Sequence, residues 1–279
     1  MSTVDYSRRF GGIARLYGNH ALTKARAAHV VIIGIGGVGS WAVEALARSG
    51  IGQLTLIDLD HVNESNINRQ IHALDSNLGA SKVLAMQRRL ADINPECVVN
   101  TIEEFIDEEN LTTLLPHCDF VIDAIDNVRA KAALIAHCRD AKIRIVTTGA
   151  AGGRIDPTCI AVVDLSRTVQ DALASKVRAK LRKDYGFSKD PKKKFGVDCV
   201  YSPERTPAPP VGADETKAKA ETTALQGGRA KDALCAVADD TTPFDGTAGL
   251  ACAGYGSSVA VTAGFGFAAA ASVLKELLQ

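Results

Sequence analysis

The chain has 279 residues, enough for one large α/β domain or two small ones, and 46% of them are hydrophobic, which supports a sizeable core. Lysine plus arginine equals aspartate plus glutamate at 32 each, so no global field draws nucleic acid to the protein and any RNA site is a local patch. The seven cysteines (Cys97, Cys118, Cys138, Cys159, Cys199, Cys235 and Cys252) are scattered, odd in number and form no C-x-x-C pair, so a disulfide framework and a structural zinc site both lack support. That usage, with a polar start over residues 1–9 that lacks the apolar run of a secretory signal, points to a reducing, cytoplasmic compartment.

In chain order, apolar runs predict strands at 29–34, 53–58, 98–102, 120–124, 144–148 and 159–164. Amphipathic stretches predict helices at 39–49, 78–93, 108–115, 128–141 and 168–184. Alternation of this kind predicts a doubly wound, mostly parallel Rossmann-like sheet with helices on both faces, whose ligands sit at the carboxyl ends of the strands. After about Phe187 the pattern changes: 189–194 is charged, and 203–233 reads as a mobile or disordered insertion rich in Pro, Ala, Thr, Lys and Glu. The segment 247–278 is apolar and small, long enough to span a bilayer but interrupted by Gly254, Gly256, Gly264 and Gly266. A buried strand or turn followed by a helix packed on the sheet is the preferred reading, with peripheral membrane contact as the alternative. The expectation is one domain, 1–279.

The first strand runs into Gly34-Ile35-Gly36-Gly37-Val38-Gly39, and a helix follows. Such a turn lets bare backbone amides approach a phosphate at the helix N-terminus. Alone it does not separate a dinucleotide from a triphosphate, and neither does Asp58 at the next strand end, where an acid binds ribose hydroxyls in either kind of site. The residues that follow discriminate. Asp60, Asn66, Arg69, Lys82, Asp126 and Asn127 fall at or after successive strand ends. Attack at the α-phosphate of a triphosphate needs cations on the departing phosphates, here Arg69 and Lys82. It also needs a carboxylate for Mg²⁺, here Asp126. Read singly, each is an ordinary surface charge or cap; their joint placement is what favours an ATP site.

These motifs, together with Ser65-Asn66-Ile67-Asn68-Arg69-Gln70 and Asp123-Ala124-Ile125-Asp126-Asn127, resemble the ubiquitin-activating and sulfur-carrier-activating superfamily over residues 8–165. Further stretches are similar to the tRNA threonylcarbamoyladenosine dehydratases within it: 9–18 (RFGGIARLYG), 149–158 (GAAGGRIDPT), 190–196 (DPKKKFG) and 200–204 (VYSPE). The resemblance implies ATP-dependent cyclisation of a threonylcarbamoyl group on the tRNA adenosine next to the anticodon. The threonine carboxylate is adenylated, and the carbamoyl group then closes a five-membered ring with loss of AMP. It implies catalysis by Arg69, Lys82 and Asp126, with Mg²⁺ on Asp126. It also implies a homodimer in which an N-terminal arginine, Arg9 or Arg15, reaches the partner's nucleotide, and a cysteine desulfurase with its sulfur acceptor as partners.

The stretch Lys176, Arg178, Lys180, Arg182, Lys183, Lys189, Lys192, Lys193 and Lys194 is the candidate tRNA backbone contact, the last three above all, against the plainer reading of a solvated helix face and charged loop. Cys199 and Cys252 read as buried small hydrophobes before thioester nucleophiles, since no histidine pairs with either. His72 reads as an ordinary polar contact. The alternative function is an adenylyltransferase that activates the C-terminus of a small sulfur-carrier or ubiquitin-like protein.

Overall fold

In the computed structural model, residues 5–18, 20–205 and 255–279 are described. Most of the expected insertion, the apolar residues 247–254, Cys235 and Cys252 lie outside them. The strands are β1 (His29–Ile33), β2 (Gln53–Ile57), β3 (Val98–Ile102), β4 (Phe120–Asp123), β5 (Arg144–Thr148), β6 (Ala161–Asp164) and β7 (Asp198–Tyr201). The helices are α1 (Tyr6–Tyr17), α2 (Ala21–Ala27), α3 (Gly39–Arg48), α4 (Lys82–Ile93), α5 (Leu111–Leu114), α6 (Val128–Ala141), α7 (Ala172–Asp184) and α8 (Val259–Leu278).

The strands pair in the order β3-β2-β1-β4-β5-β7-β6, all parallel except the β7–β6 pair. This is the doubly wound Rossmann-like sheet that the sequence pattern predicts. Helices cover both faces, which explains why β1 is apolar from Val30 to Ile33 instead of alternating. Val30 and Ile32 pack with α3, α4 and α8 in one core, while Val31 and Ile33 pack with α6 and α7 in the other. The strand order reverses beside β1, with β2 on one flank and β4 on the other.

Several boundaries differ from expectation, each for a local reason. Residues 75–77 form a single tight turn, so α4 begins at Lys82. Side chains of Asp107 and Asn110 hydrogen-bond nearby backbone amides and delay α5. Leu115, the residue before Pro116, closes it, because proline disfavours helical backbone in the residue it follows. The Asp171 side chain accepts from the Ala174 amide and caps α7, which shortens that helix at its start. Among the described residues, α1, α2 and β7 have no counterpart in the expected elements. β7 is four residues long and joins the sheet through distant partners, Val146 with Asp198 and Thr148 with Val200. It displaces β6 to the antiparallel edge.

The C-terminal helix is packed on the fold, as preferred. It is long and apolar enough to cross a membrane by composition, but 56% of its most apolar window is buried inside the protein. It lies along α3 so closely that a Cβ on Gly266 would sit 2.5 Å from the Val38 carbonyl oxygen. Phe267 meets Trp41 edge to face at 5.8 Å. Packing therefore accounts for its composition, and the helix braces the one that opens at the glycine turn.

Candidate active site

A cleft of about 1570 Å³ runs along the carboxyl ends of the strands. Its first end is the turn after β1. Gly34 adopts φ 87, and a Cβ on Gly39 would lie 1.8 Å from the Gly34 carbonyl oxygen, so side chains are excluded at both positions. The amides of Gly36 and Gly37 donate to no acceptor among the described residues, and α3 has no side-chain N-cap. Free amides at the start of a helix form an anion cradle.

Asp58 stands directly under this turn. Its Oδ2 accepts from the Ile35 amide at 2.6 Å and its Oδ1 from the Asp60 amide at 2.8 Å. Burial pushes its carboxyl up, opposed chiefly by the Lys82 charge and those two amides. Each oxygen keeps a lone pair for a ribose hydroxyl. Lys82 opens α4 and pairs with Asp60 at 2.6 Å. The lysine is almost fully buried, whereas the Asp60 side chain is 52% exposed, so the ammonium can shift to a more highly charged partner without stranding its present one.

Asn66 is buried, and its side-chain oxygen accepts from the Asn63 amide in a capping box that shapes the 63–70 loop. That loop is fastened twice. Trp41 Nε1 donates to the Arg69 carbonyl at 2.9 Å, and Asn68 donates to the Ser257 carbonyl at 2.9 Å. The Arg69 guanidinium donates to the Ser65 carbonyl and to Asn68 Oδ1, facing the glycine turn over the cleft.

Asp126 follows β4, is exposed to the cleft, and accepts no hydrogen bond among the described residues. Asn127 beside it caps α6 through the amides of Arg129 and Ala130. Among the described residues no cluster of three His, Cys, Asp or Glu side chains exists that could hold a metal by itself. One free carboxylate facing a phosphate cradle still fits Mg²⁺, which takes one or two carboxylates plus substrate phosphates and water.

The structure thus brings Gly34, Gly36, Gly37, Gly39, Asp58, Asp60, Asn66, Arg69, Lys82, Asp126 and Asn127 close to one cleft. Neither Arg9 nor Arg15 lines it. Arg9 donates to the carbonyls of Asp92 and Ile93 at 3.1 and 2.9 Å, satisfying the end of α4, whereas Arg15 is exposed.

The basic stretch is not one solvated face. Arg178 is half-buried and lines the cleft. Lys180 pairs with Asp184 at 3.0 Å and Glu108 at 3.4 Å. Arg182 lies over Phe195. Lys192, Lys193 and Lys194 are exposed on a loop pinned by Arg167, which donates to the Lys192 carbonyl, and by Asp164, which accepts from the amides of Phe195 and Gly196. Cys199 is completely buried in β7 and its thiol is pushed up by burial, which fits the small-hydrophobe reading.

Arg154 and Asp171 also line the cleft without an expected role, and Arg178, expected only within the basic tRNA-contact stretch, lines it too. Arg154 lies in the glycine-rich segment after β5 and the other two belong to α7 and its cap. No spacing rule connects them.

The model of the ThiF family matches residues 6–278. The tRNA threonylcarbamoyladenosine dehydratase of Haemophilus influenzae is 46% identical over 282 residues, covering 100% of this chain and 97% of the relative. The crystal structure of the Escherichia coli tRNA N6-threonylcarbamoyladenosine dehydratase in complex with ATP is 44% identical, covers 99% of this chain and 97% of its own, and superposes with a TM-score of 0.80. The same enzyme in complex with AMP gives 44% identity and a TM-score of 0.80 over 99% of this chain.

Proposed function

This chain belongs to the ThiF family, and from that premise we propose that it is an ATP-dependent tRNA-modifying dehydratase that cyclises the threonylcarbamoyl group of a tRNA adenosine next to the anticodon. The observation that carries this reading is likeness to the dehydratases over the whole chain rather than over the nucleotide half alone. ATP is the nucleotide of the site.

The residue roles are our assignment. The amides of Gly36 and Gly37 and the start of α3 hold phosphate, with Gly34 and Gly39 keeping the turn tight enough to present them. Asp58 takes the ribose. Arg69 and Lys82 stabilise charge that develops on the departing pyrophosphate as the threonine carboxylate attacks the α-phosphorus. Lys82 leaves the half-exposed Asp60 to do so. Asn66 and Asn127 shape the loops that carry Arg69 and Asp126. Asp126 would hold Mg²⁺, which when bound neutralises phosphate charge. The second step needs only placement: the carbamoyl group is tethered to the activated carbonyl, attacks it and releases AMP. No cysteine is required, in keeping with a buried Cys199.

We assign Lys192, Lys193 and Lys194 to the tRNA backbone, because their loop is fixed at both ends while their ammonium groups are exposed. In a homodimer, Arg15 is the arginine free to cross to the partner's nucleotide, since Arg9 is engaged at the end of α4.

The test is mass spectrometry of nucleosides from tRNA bearing threonylcarbamoyladenosine after incubation with the protein, ATP and Mg²⁺. Loss of one water from that nucleoside, with AMP released, is expected. Asp126→Ala and Arg69→Ala should each lower turnover by about 10²–10³-fold with unfolding unchanged; near-normal turnover in either removes its assigned role. Pyrophosphate exchange driven by a small carrier protein, with the nucleoside unaltered, would place the chain with the carrier-activating adenylyltransferases. Replacing Lys192, Lys193 and Lys194 by Ala should weaken tRNA binding and reduce the log–log salt slope by about 2. An unchanged slope moves the RNA surface elsewhere.

A further inference from the structure

The cleft continues past the nucleotide residues to the loop after β5 and the loop before α7. At this second end Arg154 is 3% exposed. Its Nη2 donates to the Gln170 carbonyl at 2.6 Å, while Nε and Nη1 have no acceptor among the described residues. Arg178, half-buried on α7 and also lining the cleft, donates through Nη1 to the Thr168 hydroxyl. Neither guanidinium is in an ion pair among the described residues.

The loop between them is built to hold them. Gln170 adopts φ 56, a left-handed conformation that a non-glycine residue takes only at a cost, and its carbonyl is the one that Arg154 grips. The neighbouring Asp171 carboxylate is committed to backbone: Oδ2 accepts from the Ala150 amide at 2.9 Å and Oδ1 from the Ala174 amide at 2.8 Å. The loop therefore fixes both arginines through neutral oxygens; Asp171 acts on Arg178 only through space, and Arg154 keeps two free donors with no ion pair among the described residues. A buried charge without a counter-charge is costly, and a guanidinium with free donors matches carboxylate or phosphate geometry.

We propose that Arg154 and Arg178 form an oxyanion-binding end of the cleft that takes a negative group of the RNA substrate, either the threonyl carboxylate or a phosphate flanking the modified adenosine. The identity of that substrate rests on the dehydratase reading; the free donors of buried Arg154 do not. Arg154 follows β5, the neighbour of the strand that leads to Asp126, and both line one cleft, so an anion held here orients the reacting group toward the nucleotide.

The experiment titrates wild type, Arg154→Met, Arg154→Lys and Arg178→Met with tRNA bearing threonylcarbamoyladenosine and with the same tRNA unmodified, at two salt concentrations, and measures ATP affinity separately. Each Met variant should bind modified tRNA about tenfold more weakly and keep its ATP affinity, with Arg154→Lys intermediate. If the carboxylate is the ligand, the loss falls on modified tRNA alone. If a phosphate is the ligand, both RNAs lose equally and the salt slope falls by about 1. Unchanged affinity for both RNAs in folded Arg178→Met and Arg154→Lys overturns the proposal, whether or not Arg154→Met folds. Wild type that binds neither RNA sinks the dehydratase reading instead.

Discussion

Two lysine–aspartate pairs flank β1 at the carboxyl edge, and their surroundings give them opposite duties. Lys82 meets Asp60 at 2.6 Å after β2, and Lys131 meets Asp123 at 2.8 Å at the end of β4. Both lysines are buried, but Asp60 is 52% exposed and Asp123 0%. The first pair is screened by water and can exchange partners. The second is sealed and fully hydrogen-bonded: Thr147 donates to Asp123 Oδ2 at 2.6 Å and accepts from Lys131 Nζ at 3.0 Å. Asp123 Oδ1 accepts from the Ile125 amide at 3.1 Å, which sets the loop that presents Asp126. The same chemistry leaves a lysine able to change partner on one flank and braces the loop that carries Asp126 on the other. The exposure of the acid decides which.

The largest expected effect breaks the brace. Lys131→Met should cost about 3–5 kcal/mol of unfolding free energy, because it strands the buried Asp123 charge. Adding Asp123→Asn should recover part of that, measured by urea unfolding. A single-variant loss below about 1 kcal/mol would mean the pair braces nothing. Next comes the working pair. Lys82→Met should lower turnover by about 10²–10³-fold and cost less stability than Lys131→Met, since Asp60 stays hydrated and buried Asp58 keeps its two backbone amides. A large stability loss with turnover intact would reverse the two duties.

The smallest effect is a pH dependence that reads the Lys82 charge at a distance. His72 is buried without a hydrogen-bond partner for either ring nitrogen among the described residues. Burial, and then the charges of Lys82 and Arg89, push its imidazolium down from 6.5 to about 4. Between those values the unfolded chain binds the proton and the folded chain does not, so stability rises with pH across that window. The stability lost between pH 6.5 and pH 5 should be about 1.5 kcal/mol. His72→Leu should flatten that slope, and Lys82→Met should soften it. A slope unaffected by either variant would place the acid sensitivity on other groups.

The nucleotide half was legible because its signals are local. A Gly34–Gly39 turn needs glycine where a Cβ would strike backbone, and Lys82 and Asp126 stand next to elements with strong periodic patterns. The other half was not. β7 is four residues long, and its register exists only through β5 and β6. Arg178 looked like one more cation on a basic helix, yet the 168–171 loop turns it inward. Arg9 and Arg15 were equivalent in sequence until α4 ended against one of them. The helix expected at 168–184 began late because Asp171 serves both as its cap and as an anchor for Ala150.

By itself, then, the sequence determined the parallel α/β class, the tight glycine turn and the charged residues set around it, because backbone sterics and strand or helix periodicity act over a few residues. Only the tertiary structure decided which charges are free to act. Whether Lys82, Lys131, Arg154 or Arg178 serves substrate or scaffold depends on which distant oxygen it meets and how much water reaches that oxygen. Neither quantity is encoded within one element of the chain.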